Sequence, residues 1–163
     1  MSGLAIFTGV HVAISLAAIG SGIVVLLGML KGKRLDRWNT LFLGTTVATS
    51  VTGFGFPIHG FTPGIGLGIL SLLVLAVAIY ARYVRQLAGV WRLVYVVSAT
   101  AALYFNVFVL IVQSFQKVPS LKALAPTQTE LPFALAQLVA FVTFIVLGTL
   151  ATKRFRDHPV SVA

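Results

Sequence analysis

Apolar residues run along this chain in long blocks, interrupted by clusters of charge or by proline and glycine. The blocks cover residues 4–30, 39–56, 64–81, 93–115 and 132–152. A bilayer core about 30 Å thick takes roughly 20 apolar residues wound as a helix, so the pattern predicts five transmembrane helices. The first block is longer than the core and must tilt or protrude. Barrel strands would alternate lipid-facing and lumen-facing residues. Here Leu72–Ile79 and Val107–Val112 are apolar without a break, which predicts helix rather than strand.

Each interruption has a physical cause. Lys31, Lys33, Arg34, Asp36 and Arg37 are too costly to leave in hydrocarbon. Pro57, Gly60, Pro63 and Gly64 punctuate a tight connection, and Arg82, Arg85 and Arg92 separate the third block from the fourth. Lys117, Pro119, Lys122, Pro126 and Glu130 mark a longer connection, after which Pro132 suits the first turn of a helix. Met1–Gly3 carries no side-chain cation, and the apolar run behind it exceeds the 7–15 residues of a signal-peptide core, so it is expected to be a retained span. The reading is one all-α integral membrane domain over residues 1–163.

Composition agrees. Apolar residues make up 58% and charged residues 9% of the 163, with a mean hydropathy of +1.02. So few charges do not coat a water-facing surface, which excludes a soluble enzyme, a disordered chain and a coiled coil. With no cysteine, disulfides, thiolate catalysis and Cys-ligated metals are excluded. Of the Lys and Arg residues, four lie in 31–37, three in 82–92 and three in 153–156, all on one side of a five-span chain, against Lys117 and Lys122 on the other. The positive-inside rule then places the N-terminus outside and the C-terminus in the cytoplasm, in a cell inner (plasma) membrane. Topology and anionic headgroups account for the net charge of +9, and no basic stacking module points to nucleic acid.

Small residues at spacing four supply packing faces: Ala18 and Gly22, Gly44 with Ala48 and Thr52, Gly64 and Gly68, Gly148 and Thr152. Polar side chains inside spans are the candidate sites. They are His11, Ser15, a Thr45–Thr49–Thr52 stripe, Asn106, Gln113 and Gln137, with His59 and Glu130 near span ends. On the predicted topology most of these gather toward the outer leaflet.

Three functions are compatible with this set. His11 and His59 are candidate ligands to haem b, though the residues themselves assign no cofactor. An outward-facing pocket built from His11, Ser15, Asn106, Gln113, Glu130 and Gln137, with Phe105, Phe108, Phe115 and Phe133, would bind a quinone, a lipid or another amphiphile. The plainest is a structural or accessory subunit without catalytic activity, its partners the lipid bilayer and another membrane protein or a second copy of itself. No acidic residue lies inside a predicted span and no P-loop, HExxH or GxSxG motif occurs, which favours this last reading. Residues 116–133 are expected to form an external cap, with Leu121 and Leu124 packing down on the bundle.

The stretch HVAISLAAIGSGIVVLLGMLKGKRLDRWN, opening at His11, and ARYVRQLAGVWR, opening at Ala81, resemble small uncharacterised bacterial multi-pass inner-membrane proteins, some distantly similar to b-type cytochrome bundles. The resemblance implies a bacterial membrane helix bundle. Where those bundles place further histidines, this chain has Leu35, Asp36 and Arg37, and Trp91 and Arg92.

Overall fold

Ser2 opens the first helix by accepting the Ala5 N–H at its hydroxyl. From there a computed structural model describes residues 2–57, 60 and 63–156. The elements are α1 (Gly3–Leu30), α2 (Asp36–Gly53), α3 (Pro63–Ile79) running into a π-helical turn (Tyr80–Val84), α4 (Val90–Lys117), α5 (Pro119–Leu124) and α6 (Leu131–Arg154). The described residues contain helices and no strand. Four of the helices are long and apolar enough to cross a membrane: α1, α3 with its π turn, α4 and α6.

α2 departs from expectation. It starts at Asp36, whose carboxylate suits the positive end of the helix dipole, and Phe54–Phe56 have already left it. Its 18 residues include Asp36, Arg37, Asn39 and six Thr or Ser, so it falls short of the apolarity of the other four. The connection after α4 also differs from an open loop. It contains α5, and Leu121 is half-buried there while Leu124 is 57% exposed.

Helix directions alternate. α1 and α2 are antiparallel, since Gly22 meets Phe42 while His11 meets Thr52. The reversal begins at Gly32, whose φ of +69° suits a residue without Cβ. Lys33 N–H then bonds Gly28 O at 2.8 Å and Gly32 N–H bonds Met29 O at 3.0 Å, the paired bonds of a Schellman stop. α2 and α4 are parallel, because Asn39 meets Tyr95 and Thr46 meets Asn106. α6 returns along α4, with Phe133 on Phe115 and Phe141 on Tyr104. α4 therefore stands at the centre, touching α1, α2, α3 and α6. This alternation collects ten of the twelve Lys and Arg at one end of the bundle, called here the cationic end.

The apolar core is concentrated toward that end. It joins Val25, Leu26 and Met29 of α1, Phe42 and Leu43 of α2, Leu75 and Ala78 of α3, and Tyr95, Ala99 and Leu103 of α4. A Cβ on Gly22 would stand 2.6 Å from Leu103 and 2.8 Å from Phe42, so this glycine sets how closely three helices approach. Arg92 ties the end of α6 down by donating to the carbonyls of Phe155 and Thr152. Toward the opposite end the interior thins, and residues 3–6 and 9–10 of α1 are exposed. α6 buries only Ala151, and leaves Leu138, Val139, Val142 and Ile145 exposed.

Candidate functional site

α2 carries a ladder of polar bonds to its neighbours. At the cationic end Asp36 accepts from Arg82, and Asn39 Oδ1 accepts the Tyr95 hydroxyl. Thr40 and the Tyr83 hydroxyl lie 3.0 Å apart. Further along, Thr46 Oγ1 accepts from Asn106 Nδ2 at 3.3 Å and Ser50 donates to Ser71 at 3.2 Å. The last rung is Thr52 with His11 Nδ1 at 2.7 Å. Without water, a polar side chain needs such a partner, so the ladder accounts for a helix this polar lying among apolar ones. The rungs are not the expected Thr45–Thr49–Thr52 stripe. Thr45 bonds only carbonyls of its own helix, at 2.7 and 3.2 Å, and Thr49 Oγ1 is buried without a partner.

Beyond the last rungs α1, α2, α3 and α4 spread apart around a cleft of about 760 Å³. That falls within the roughly 300–1,000 Å³ of small-molecule sites. His11 and Ser15 of α1, Thr49 and Ser50 of α2, and Ser71 of α3 give one side polar groups. Asn106, Gln113 and Lys117 extend a polar line along α4 to the mouth. Between them lie Val12, Leu16, Ile19, Phe105, Val109 and Leu110. The site is therefore mixed: an apolar slot with few convergent polar groups.

His11 is held on two sides. Thr52 fixes Nδ1, and the Phe56 ring meets the imidazole edge-on at 5.1 Å with an interplanar angle of 84°. Ser15 donates to the His11 carbonyl at 2.8 Å, and the Gln113 side chain makes no hydrogen bond among the described residues.

Of the expected pocket residues, His11, Ser15, Asn106 and Gln113 line the cleft. Glu130 and Gln137 do not. Gln137 lies between α4 and α6, donating to Phe108 O at 3.3 Å. Glu130 precedes α6, where its carboxylate accepts from the Thr127 hydroxyl at 2.8 Å and from the N–H groups of Thr127 and Thr129 at 3.1 Å. Desolvation pushes that carboxyl up, but the hydrogen bonds outweigh it and hold it below its ordinary range. Among the expected phenylalanines only Phe105 faces the cleft. Phe115 and Phe133 pair edge-on at 5.4 Å between α4 and α6, and Phe108 packs by Tyr104. Phe54 and Phe56 take their place, having left α2 a turn earlier than the apolar pattern implies.

His59, the expected second haem ligand, lies outside the described residues. No three His, Asp or Glu converge among the residues described.

The basic residues conceal a second polar centre. Arg82 reads as an interfacial cation, yet it is 5% exposed. Its guanidinium meets Asp36 and stacks over Tyr95 at 5.3 Å and Tyr83 at 5.9 Å. The π turn buries consecutive residues, Ala81 and Arg82, which a regular helical face would not favour. The two tyrosines within a run of arginines are the only hint of this in the sequence.

No family model matches this chain, and no curated protein or solved structure shows detectable similarity to it.

Proposed function

We propose that this chain is a five-span inner-membrane protein, N-terminus out, whose outward-opening cleft binds an amphiphile such as a lipid or quinone. The polar head sits among His11, Gln113 and Lys117, and the apolar part lies along Val12, Leu16, Phe105 and Val109. The observation that carries this reading is the cleft of about 760 Å³ bounded by four helices and lined by both kinds of group. A purely accessory subunit has no need for such a space.

The alternating helix directions support five crossings, with α2 as the crossing whose polar groups are met by neighbours rather than by water. The ten-to-two division of Lys and Arg between the ends supports the cationic end as the cytoplasmic one. The cleft then opens on the outer side.

The test is lipid extraction and mass spectrometry on protein purified in mild detergent. One defined amphiphile is expected at near-stoichiometric yield, and Ser15→Trp, which fills the cleft, is expected to abolish it. Recovery of bulk lipid alone, equal in both proteins, would remove the reading in favour of an accessory subunit. An absorption spectrum of the same sample separates the haem alternative. A b-type band lost in both His11→Ala and His59→Ala would replace the amphiphile with haem.

A further inference from the structure

The Thr52 hydroxyl has one hydrogen and three neighbours, of which Thr49 O at 3.2 Å is the most distant. Ala48 O is 2.7 Å away and His11 Nδ1 is 2.7 Å away. We assign the hydroxyl hydrogen to the Ala48 carbonyl, the usual back-bonded arrangement of a helical threonine, so that the ring supplies the other bond. On that assignment the His11 Nδ1–H donates to Thr52. A neutral imidazole carries one N–H, which leaves Nε2 as a bare acceptor. No described residue bonds that nitrogen, and His11 lines the cleft.

Three deeper donors on the cleft wall are already engaged, while the Thr49 hydroxyl there has no partner among the described residues. Ser15 donates to His11 O at 2.8 Å, Ser50 to Ser71 at 3.2 Å, and Asn106 to Thr46 at 3.3 Å. Lys117, at the last turn of α4, and Gln113 keep free donors near the mouth. The cleft thus offers an acceptor at His11, with free donors at the rim and at Thr49.

We infer that the cleft selects amphiphiles whose head group donates a hydrogen bond, such as a hydroxyl, with His11 Nε2 as the acceptor that reads it. This rests on the amphiphile reading of the same cleft and adds the chemistry of the head. Thr52 acts as a positioning residue, since it fixes which ring nitrogen carries the proton. A head bearing only carbonyl or ether oxygens, an oxidised quinone included, sets an acceptor against an acceptor and leaves Nε2 unpaired, so within the quinone class the hydroquinone form is the one selected.

The test uses the full chain in detergent and isothermal titration with four probes. Decylhydroquinone and decylglycerol carry hydroxyls on an aromatic and an aliphatic head, and their O-methyl ethers keep the shape without the hydrogens. At least one hydroxylated probe is expected to bind about tenfold tighter than its ether, and the one that does identifies the head. His11→Phe is expected to abolish this preference, and Thr52→Val to shrink it while binding itself persists. Nitrogen-15 spectra of ring-labelled histidine, in a His59→Gln/His158→Gln background, should show a protonated Nδ1 and an unprotonated Nε2. Ethers that bind as tightly as hydroxylated probes, or a protonated Nε2, would overturn the selectivity and leave the cleft reading standing. Failure of all four probes to bind would overturn both.

Discussion

At position 82 a guanidinium is buried while its partner is not: the Asp36 side chain is 77% exposed and that of Arg82 only 4%. Removing the two partners should therefore have unequal effects. Asp36→Ala leaves a buried cation without its counter-charge, and is expected to cost about 2 kcal/mol, a discount on a fully buried pair because Asp36 is largely in solvent. Adding Arg82→Met removes the stranded charge and should restore most of the loss. Thermal unfolding of the single and double variants in one detergent measures the difference. Glu130 gives a pH-dependent counterpart. Its folded carboxyl sits below the ordinary range, so ionisation favours the ordered Thr127–Glu130 turn. That contribution is complete at neutral pH and fades as the pH falls through the carboxylate range. Limited proteolysis of this connection should quicken there in the native chain, and Glu130→Gln should be fast at every pH. Neither site is legible from residue type. Arg82 looks like any headgroup arginine, because its burial depends on a π turn that has no sequence signature, and Glu130 looks like a pocket acid until Thr127 and Thr129 fold back on it.

Among elements, the long blocks that became α1, α4 and α6 are legible because hydrocarbon selects composition directly, and any helix facing it must be apolar throughout. α2 is less so, since its partners lie far along the chain: Tyr95 for Asn39, Asn106 for Thr46, Ser71 for Ser50. Local pattern records what solvent an element meets, and α2 meets mostly other helices. The cleft was half legible for the same reason. His11, Ser15, Asn106 and Gln113 could be placed by depth, whereas Gln137, on α6, bonds Phe108 O of α4 outside the cleft. Packing offers a sharp contrast. Gly22→Val drives a side chain into Leu103 and Phe42 and should lose about 1–3 kcal/mol, while Gly44→Val, with nothing within 4 Å of its Cβ position, should change little. Unfolding midpoints of the two variants check this.

For the molecule as a whole, a dense core at the cationic end and a cleft at the other make the two ends mechanically unlike. Arg92 on α6 and Asp36 on Arg82 bind the helices together at one end, and no comparable ion pair joins the opposite ends among the described residues. The proposed orientation is checked by single cysteines: Ser2→Cys and Ser120→Cys should react with an impermeant maleimide in intact cells, and Ser161→Cys only after permeabilisation. The polar ladder of α2 also bears on how the chain is made. A segment holding Asp36, Arg37 and seven amide or hydroxyl side chains has little reason to leave the translocon alone. Two of its rungs, Tyr95 and Asn106, are synthesised some fifty to sixty residues later. Biogenesis should therefore be out of step with synthesis, with α2 settling across the bilayer only when α4 arrives. A nascent chain cut after residue 57 should keep a C-terminal reporter on the cytoplasmic side, and one that includes α4 should carry a reporter inserted at the same place to the other face.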